Sequence, residues 1–213
     1  MLNASQELAL IGRAREGDLD AFNRLVETYQ DSVYGVALRM VRNQAAAEDV
    51  AQEAFISAWR AIKSYRGVPA GGGDGSPPPS GNTFRAWLLR IARNATYDHL
   101  RRVNRRAETS IDDDAASFAE TLPSSAPGPE EWALTGELGQ AISDGLGTLP
   151  ADQRLAVALV DIEGYSYEEA AVATDANIGT VKSRLNRGRA KLRDFLRGRP
   201  ELLPAHLRQE DKG

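Results

Sequence analysis

The residues of this chain that can do chemistry are its cations, and they are concentrated rather than spread. From Ile178 to Arg199 there are eight Lys or Arg and one Asp, a local charge of +7 in a 213-residue chain of net charge −4. From Phe84 to Arg106 there are seven Arg and one Asp, +6 locally, with Trp87, Tyr97 and His99 interleaved. Like charges packed along one helix repel each other, and a polyanionic partner is what offsets that repulsion. The plainer reading of each run is a solvated basic face. Other chemistries are poorly supplied. There is no cysteine, hence no disulfide, no thiolate metal site and no thiol nucleophile. His99 and His206 lie far apart in the sequence, with no Cys to join them. Asp49 and Glu53, at i and i+4, could hold a metal as in a nuclease, but paired acids on a helix face are far more often solvated. The expectation is no catalytic residue, no metal and no cofactor.

The elements that must position the first run are legible. Ser166 with Glu169 three residues on is a capping box. Ala170, Ala171 and Ala173 let another helix approach closely. Thr174-Asp175-Ala176-Asn177 is a turn, since Asp and Asn tolerate left-handed backbone. A second helix then starts near Gly179, with Val181, Leu185, Gly188 and Leu192 on one face at spacings of 4, 3 and 4. Lys182, Ser183, Arg184, Asn186, Arg187, Arg189 and Lys191 take the other face. Two short helices, a tight turn and a basic second helix predict a helix-turn-helix whose second helix enters a DNA major groove.

Upstream, residues 5–16 form a short helix ended by Gly17, and Asp18 or Asp20 caps the next. Phe22, Val26, Tyr29, Val33, Ala37 and Val41 recur at 4, 3, 4, 4 and 4, an amphipathic helix to about Arg42, with Asn43 as its stop. A third helix runs from Ala45 to Ser64, with Glu48, Asp49, Gln52 and Glu53 opposite its apolar line. Residues 67–82 are rich in Gly and Pro, an irregular loop. It is no phosphate-binding loop, since no Gly-Lys-Ser/Thr follows. Thr83 restarts helix, with Trp87 on its core face and Tyr97 undecided between core and base stacking. Residues 107–131 carry seven Asp or Glu and no Lys or Arg, an acidic, disordered linker. Pro129 opens a further helix, Thr148 caps another ended by Gly164, and Pro200 stops the last. No strand-like alternation occurs, so the fold is all-α: two small helical domains joined by a flexible acidic linker. No apolar run reaches the ~18 residues of a membrane span and no signal-peptide pattern is present, so a cytoplasmic protein without membrane insertion is expected.

These residues also match a known family. The runs AFNRLVETYQDSVYGVALRMV, EDVAQEAFISAWRAI and FRAWLLRIARNATYDHLRR resemble the second region of extracytoplasmic-function (group IV) sigma factors. The run LPADQRLAVALVDIEGYSYEEAAVATDANIGTVKSRLNRGRAKLR resembles their fourth region. The likeness covers about residues 18–106 and 132–196. It implies a promoter-directing subunit of RNA polymerase, with residues 1–106 as region 2, 107–131 as linker, 132–199 as region 4 and 200–213 as tail. It implies core polymerase (β′ clamp and β flap), promoter DNA and an anti-sigma factor as partners. Asp49, Gln52 and Glu53 match the part that docks on the β′ clamp, with Phe55 and Trp59 in the same block. Tyr65 and Arg66 begin the loop that pockets the extruded −10 base. Arg90, Arg93, Asn94, Arg101 and Arg102 fall in the −10-reading helix, Asn94 matching an Asn used near that base. Thr180, Lys182, Ser183, Arg184 and Arg187 match the −35 reader. One departure is plain: the stretch between Tyr65 and Phe84 is much longer than the family's loop.

Two rival readings stay open on sequence. A helix-turn-helix regulator acting without polymerase explains 132–196 but leaves the 45–64 and 84–106 helices without partners. A sigma-like protein repurposed as an interaction module is the other.

Overall fold

The computed structural model describes residues 2–65, 83–109 and 136–199, and among them every regular element is helical. The first unit holds α1 (Ala4–Arg15), α2 (Leu19–Val41), α3 (Gln44–Ala61), a 3₁₀ turn (Ile62–Ser64) and α4 (Thr83–Thr109). The second holds α5 (Gly136–Gly147), α6 (Ala151–Val157), a π-helical turn (Ala158–Ile162), α7 (Tyr167–Thr174) and α8 (Ile178–Arg197). No helix among the described residues is long and apolar enough to cross a membrane.

Helix ends follow local chemistry. Asn3, Asp18, Asn43, Ser166 and Asn177 each accept a backbone N–H of the first turn with the side chain, so α1, α2, α3, α7 and α8 all start on a cap. At Asp18 the Ala21 N–H, then Arg13, hold the carboxyl below its ordinary pKa. Asn43 therefore starts α3, while Arg42, left-handed at φ 59, is what ends α2. Thr148 does not cap the helix after it: its hydroxyl donates back to the Gly145 carbonyl at 2.7 Å, and Pro150 stands at the cap of α6. A threonine just past a helix end can donate back to a carbonyl of its last turn. The π turn was not legible in the spacing of Leu155, Leu159 and Ile162. It adds a residue to the turn and ends at Ile162, with Gly164 at φ +71 turning the chain just beyond it.

The first unit packs around Phe22, Leu25, Tyr29, Val33, Val50, Ile62, Phe84 and Leu88. Tyr65, Phe84 and Trp87 form a ring cluster with centroids 5.0 to 5.5 Å apart. Trp87 is thus a core residue, as its place on the apolar line predicts. The second unit has its own cluster of Leu146, Leu149, Val157 and Leu185. Gly188 lets α8 lie against α6, since a Cβ there would meet Val157 Cγ2 at 2.8 Å and the Gln153 carbonyl at 3.2 Å. A third cluster belongs to neither unit alone: Val36, Met40 and Leu89 of the first bury against Leu155, Leu159, Tyr165, Ala170 and Val181 of the second. Two helical units strung on a linker therefore share a core, which alternation and composition gave no means to foresee. Of the acidic linker, residues 107–109 continue α4, and 110–131 lie outside the described residues, as do the Gly/Pro stretch and the tail from 200.

Candidate nucleic-acid interface

The capping box forms as read: Ser166 accepts the Glu169 N–H at 3.1 Å and Glu169 accepts the Ser166 N–H at 2.9 Å. Asp175, left-handed at φ 51, turns the chain from α7 into α8. On α8, Val181, Leu185 and Gly188 are buried, and Lys182, Ser183, Asn186 and Arg187 are exposed. The Lys182 ammonium lies 5.4 Å from the Tyr167 ring centroid, which steadies its stem. Thr180 is half-buried, its own N–H bonded at 2.7 Å to the Asn177 cap.

Two of the basic residues assigned to the open face are held elsewhere. Arg184 sits on the flank beside α6, with Nε 3.0 Å from Asp152 Oδ2 and its side chain 27% exposed. The other Asp152 oxygen accepts the Gln153 N–H at 2.9 Å, so both carboxylate oxygens have a partner. Arg189 is tied to Asp161 by two hydrogen bonds, which hold its guanidinium pKa above the ordinary value. The physical reason is the helix wheel: positions 184 and 189 fall at the two edges of the buried stripe, where α6 and the π turn present acids. Asp152 and Asp161 were not singled out from the sequence; an acid in the helix before a helix-turn-helix looks like any solvated acid until the helices cross.

On α4 the second basic set is spread around one groove. Glu53, Ser57 and Ala61 of α3 form one wall, and Ile91, Asn94, Asp98, Arg101, Arg102 and Arg105 of α4 the other, enclosing about 1060 Å³. Asn94, Arg101 and Arg102 are exposed there, and Arg101 is paired with Asp98 at 2.8 Å. Arg90 is exposed and Arg93 half-buried. The Arg93 guanidinium lies 5.2 Å from the Tyr97 ring centroid. Tyr97 is half-buried against the core shared with the second unit. Burial, the first cause, raises its hydroxyl pKa, and nearby Asp152 and Arg184 act on it as well. Tyr65 does not offer its ring to a ligand: it is 7% exposed and stacked in the aromatic cluster, because α3 ends one turn before it and delivers it inward. Arg66 lies outside the described residues.

Asp49, Gln52 and Glu53 stand together on the exposed side of α3. Phe55 and Trp59 are half-buried against the first core, with Trp59 5.0 Å from Phe22. Glu53 thus belongs to two places at once, the exposed acid/amide patch and the groove that Asn94 lines. Among the described residues, no group of three or more His, Cys, Asp or Glu could hold a metal ion. The arrangement offers exposed cations and amides on two helices of separate units, the chemistry of phosphate and base-edge contact.

Comparison with known proteins follows the same division. The family model described as Sigma-70 region 2 matches residues 25–70 and 76–106, and the one described as Sigma-70, region 4 matches 139–192. The RNA polymerase sigma-H factor of Pseudomonas aeruginosa is 35% identical over 192 residues, 89% of this chain and 93% of that protein. The ECF RNA polymerase sigma-E factor of Escherichia coli is 38% identical over 185 residues, 84% of this chain and 88% of that protein. The ECF sigma factor SigE of Mycolicibacterium smegmatis is 35% identical over 84% of this chain, which spans 62% of that longer protein. Among solved structures, the sigma factor RpoE in complex with the anti-sigma factor NepR, from Bartonella quintana, superposes with TM-score 0.62 at 28% identity, covering 83% of this chain and 96% of that one. CnrH in complex with the cytosolic domain of CnrY gives 0.60 at 25% identity, covering 91% and 99%.

Proposed function

Because this chain belongs to the extracytoplasmic-function group of the sigma-70 family of RNA polymerase sigma factors, we propose that it binds core polymerase and directs initiation at promoters by reading −35 and −10 elements. Residues 1–106 serve as region 2, 107–131 as linker, 132–199 as region 4 and 200–213 as tail. The exposed Asp49, Gln52 and Glu53 dock on the β′ clamp, and the region 4 unit meets the β flap. Asn94, Arg101 and Arg102 in the α3–α4 groove hold the displaced −10 strand, with Arg90 and Arg93 on its flank. Lys182, Ser183 and Arg187 enter the −35 major groove, with Thr180 near a phosphate. Tyr65 and Arg66 begin the stretch that pockets the extruded −10 base.

The chemistry supports these roles. Arg and Lys reach guanine O6/N7 and phosphate oxygens, and Ser reads either. Extruding a base costs a few kcal/mol, which a polar groove on single-stranded DNA offsets. The polymerase makes the bonds, so this chain needs no catalytic side chain or cofactor. An anti-sigma factor is the expected regulator, because a solved structure it resembles is a sigma factor bound to one.

The observation that carries the proposal is the pairing of two exposed basic readers, one per unit, with an acid/amide patch that reads no DNA. A helix-turn-helix regulator has no use for the patch or for the α3–α4 groove. Run-off transcription with core polymerase tests the proposal. The purified chain should bind core and confer initiation at promoters bearing matched −35 and −10 elements. Tight duplex binding without core, and no initiation with it, would establish the regulator reading instead.

A further inference from the structure

The −35 reader proposed above gives roles to cations and hydroxyls of α8 but none to Asn186. The geometry of the helix supplies one. Successive residues of an α-helix are turned by about 100°. Val181, Leu185 and Gly188 are buried and mark the inward side of α8. The line opposite them runs through Gly179, Ser183 and Ala190, all small and uncharged. Asn186 and Arg187 border that line, one on either side, each turned about 50° from it. Lys182 and Lys191 lie about 90° from it. Arg184 and Arg189 lie further round, where Asp152 and Asp161 hold them. The major groove is about 12 Å wide and about 8.5 Å deep, little more than a helix with its side chains. A helix whose foremost side chains are small sinks close to the groove floor, and the two longer side chains beside that line then meet base edges. Cations at right angles to it meet the groove walls, which are phosphate.

Asn186 is exposed, and among the described residues its amide makes no hydrogen bond. Arg187 beside it donates Nε to the Ser183 carbonyl at 3.3 Å. Asn is a poorer helix former than Ala, Arg or Lys, because its amide competes with the backbone for hydrogen bonds. Asn177 is accounted for by local structure, since it caps α8 by accepting the Thr180 N–H at 2.7 Å. Asn186 stands mid-helix and caps nothing. Its amide carries one acceptor beside one donor, the complement of adenine N6 and N7. Guanine shows two acceptors on that edge, and cytosine a donor alone. We infer that Asn186 reads an adenine of the −35 element, Oδ1 accepting from N6 and Nδ2 donating to N7. This rests on the function proposed above. Consecutive Cα atoms are about 3.8 Å apart, and stacked base pairs about 3.4 Å. The adenine therefore lies within about two base pairs of the one that Arg187 reads.

The test is transcription by core polymerase with the full-length chain on a barcoded promoter library randomised across the −35 element. Wild type should prefer adenine at one base pair. Asn186→Ala should lose that preference alone, by roughly 5- to 150-fold, with core affinity, helicity and the other base preferences unchanged. Asn186→Arg should exchange it for guanine at the same base pair. Replacing the adenine by its deaza analogue, in which a C–H stands for N7, keeps the base pair and removes one acceptor. It should weaken initiation by wild type and leave Asn186→Ala unaffected. An Asn186→Ala profile equal to wild type at every base pair would overturn the inference, as would a loss uniform over all sequences. So would a deaza analogue that acts equally on both proteins, since the preference would then come from duplex shape. A wild-type chain that does not initiate with core refutes the sigma reading instead. Selection of duplexes by the chain alone, judged by the same base changes, then decides on Asn186.

Discussion

Arg184 and Arg187 are both arginines of α8, yet they should contribute unequally to −35 discrimination. Arg187 is exposed on the open face, its Nε donating to the Ser183 carbonyl one turn back at 3.3 Å. A bidentate contact from it to guanine is worth about 1–3 kcal/mol, so Arg187→Ala should lower discrimination at one base pair by roughly 5- to 150-fold. Arg184 must first leave Asp152, a pair whose side chains are 27% and 41% exposed. A pair that wet is worth at most about 1 kcal/mol. Arg184→Ala should therefore cost up to about fivefold less than Arg187→Ala. Asp152→Asn releases Arg184 and removes a carboxylate from beside the phosphates. It should strengthen binding across all promoter sequences rather than at one base pair. The assay is run-off transcription with core polymerase on promoters carrying single base-pair changes in the −35 element, at two salt concentrations. If Arg184→Ala erased more base discrimination than Arg187→Ala, the placement of Arg184 on the flank of α8 would be refuted. A uniform loss with a shallower salt slope for Arg187→Ala would make it a phosphate contact instead.

Gln52→Ala with Glu53→Ala should weaken core binding in a pull-down or fluorescence titration without lowering the thermal midpoint, because both side chains are exposed. Leu185→Ala removes a side chain 1% exposed at the α6–α8 contact and should destabilise by about 2–5 kcal/mol in urea unfolding. Tyr165 is held above the ordinary tyrosine pKa of 10.0, chiefly by burial, against the Ser32 and Arg85 hydrogen bonds that lower it. A folded pKa above the unfolded one means stability present below pH 10 and lost as pH climbs past the folded value. Tyr165→Phe should accordingly flatten the loss of stability on the alkaline side in denaturation curves taken at successive pH values.

Several helix ends were legible because each depends on residues within one turn: Asp18, Ser166 with Glu169, and Asp175 need no distant partner to act, whereas Thr148 and Asn43 were read for the wrong roles. Trp87 was legible as core from its place on an apolar line. Arg184 was not, since its fate depends on Asp152, which lies on another helix. Tyr65 pointed inward for a similar reason, the 3₁₀ turn that rotates the chain after α3. The shared core of Val36, Met40 and Leu89 with Leu159 and Tyr165 escaped for a third reason. Apolar spacing says that a face is buried, never against which of two neighbours. Val36 and Met40 look like ordinary members of an amphipathic helix.

The core shared by the two units bears on how the protein is made. The first unit is complete at Thr109, but what covers Val36, Met40 and Leu89 begins to arrive only with α6, from Ala151, and is complete with α7, which ends at Thr174. At a synthesis rate of about 5–20 residues per second, that interval lasts roughly 3 to 13 s. During it the nascent chain presents an apolar patch, and the Met40 carbonyl waits for Arg154. A ribosome pausing within residues 110–174 would prolong that exposure, so slow codons there should raise the demand for chaperones while the finished protein stays the same.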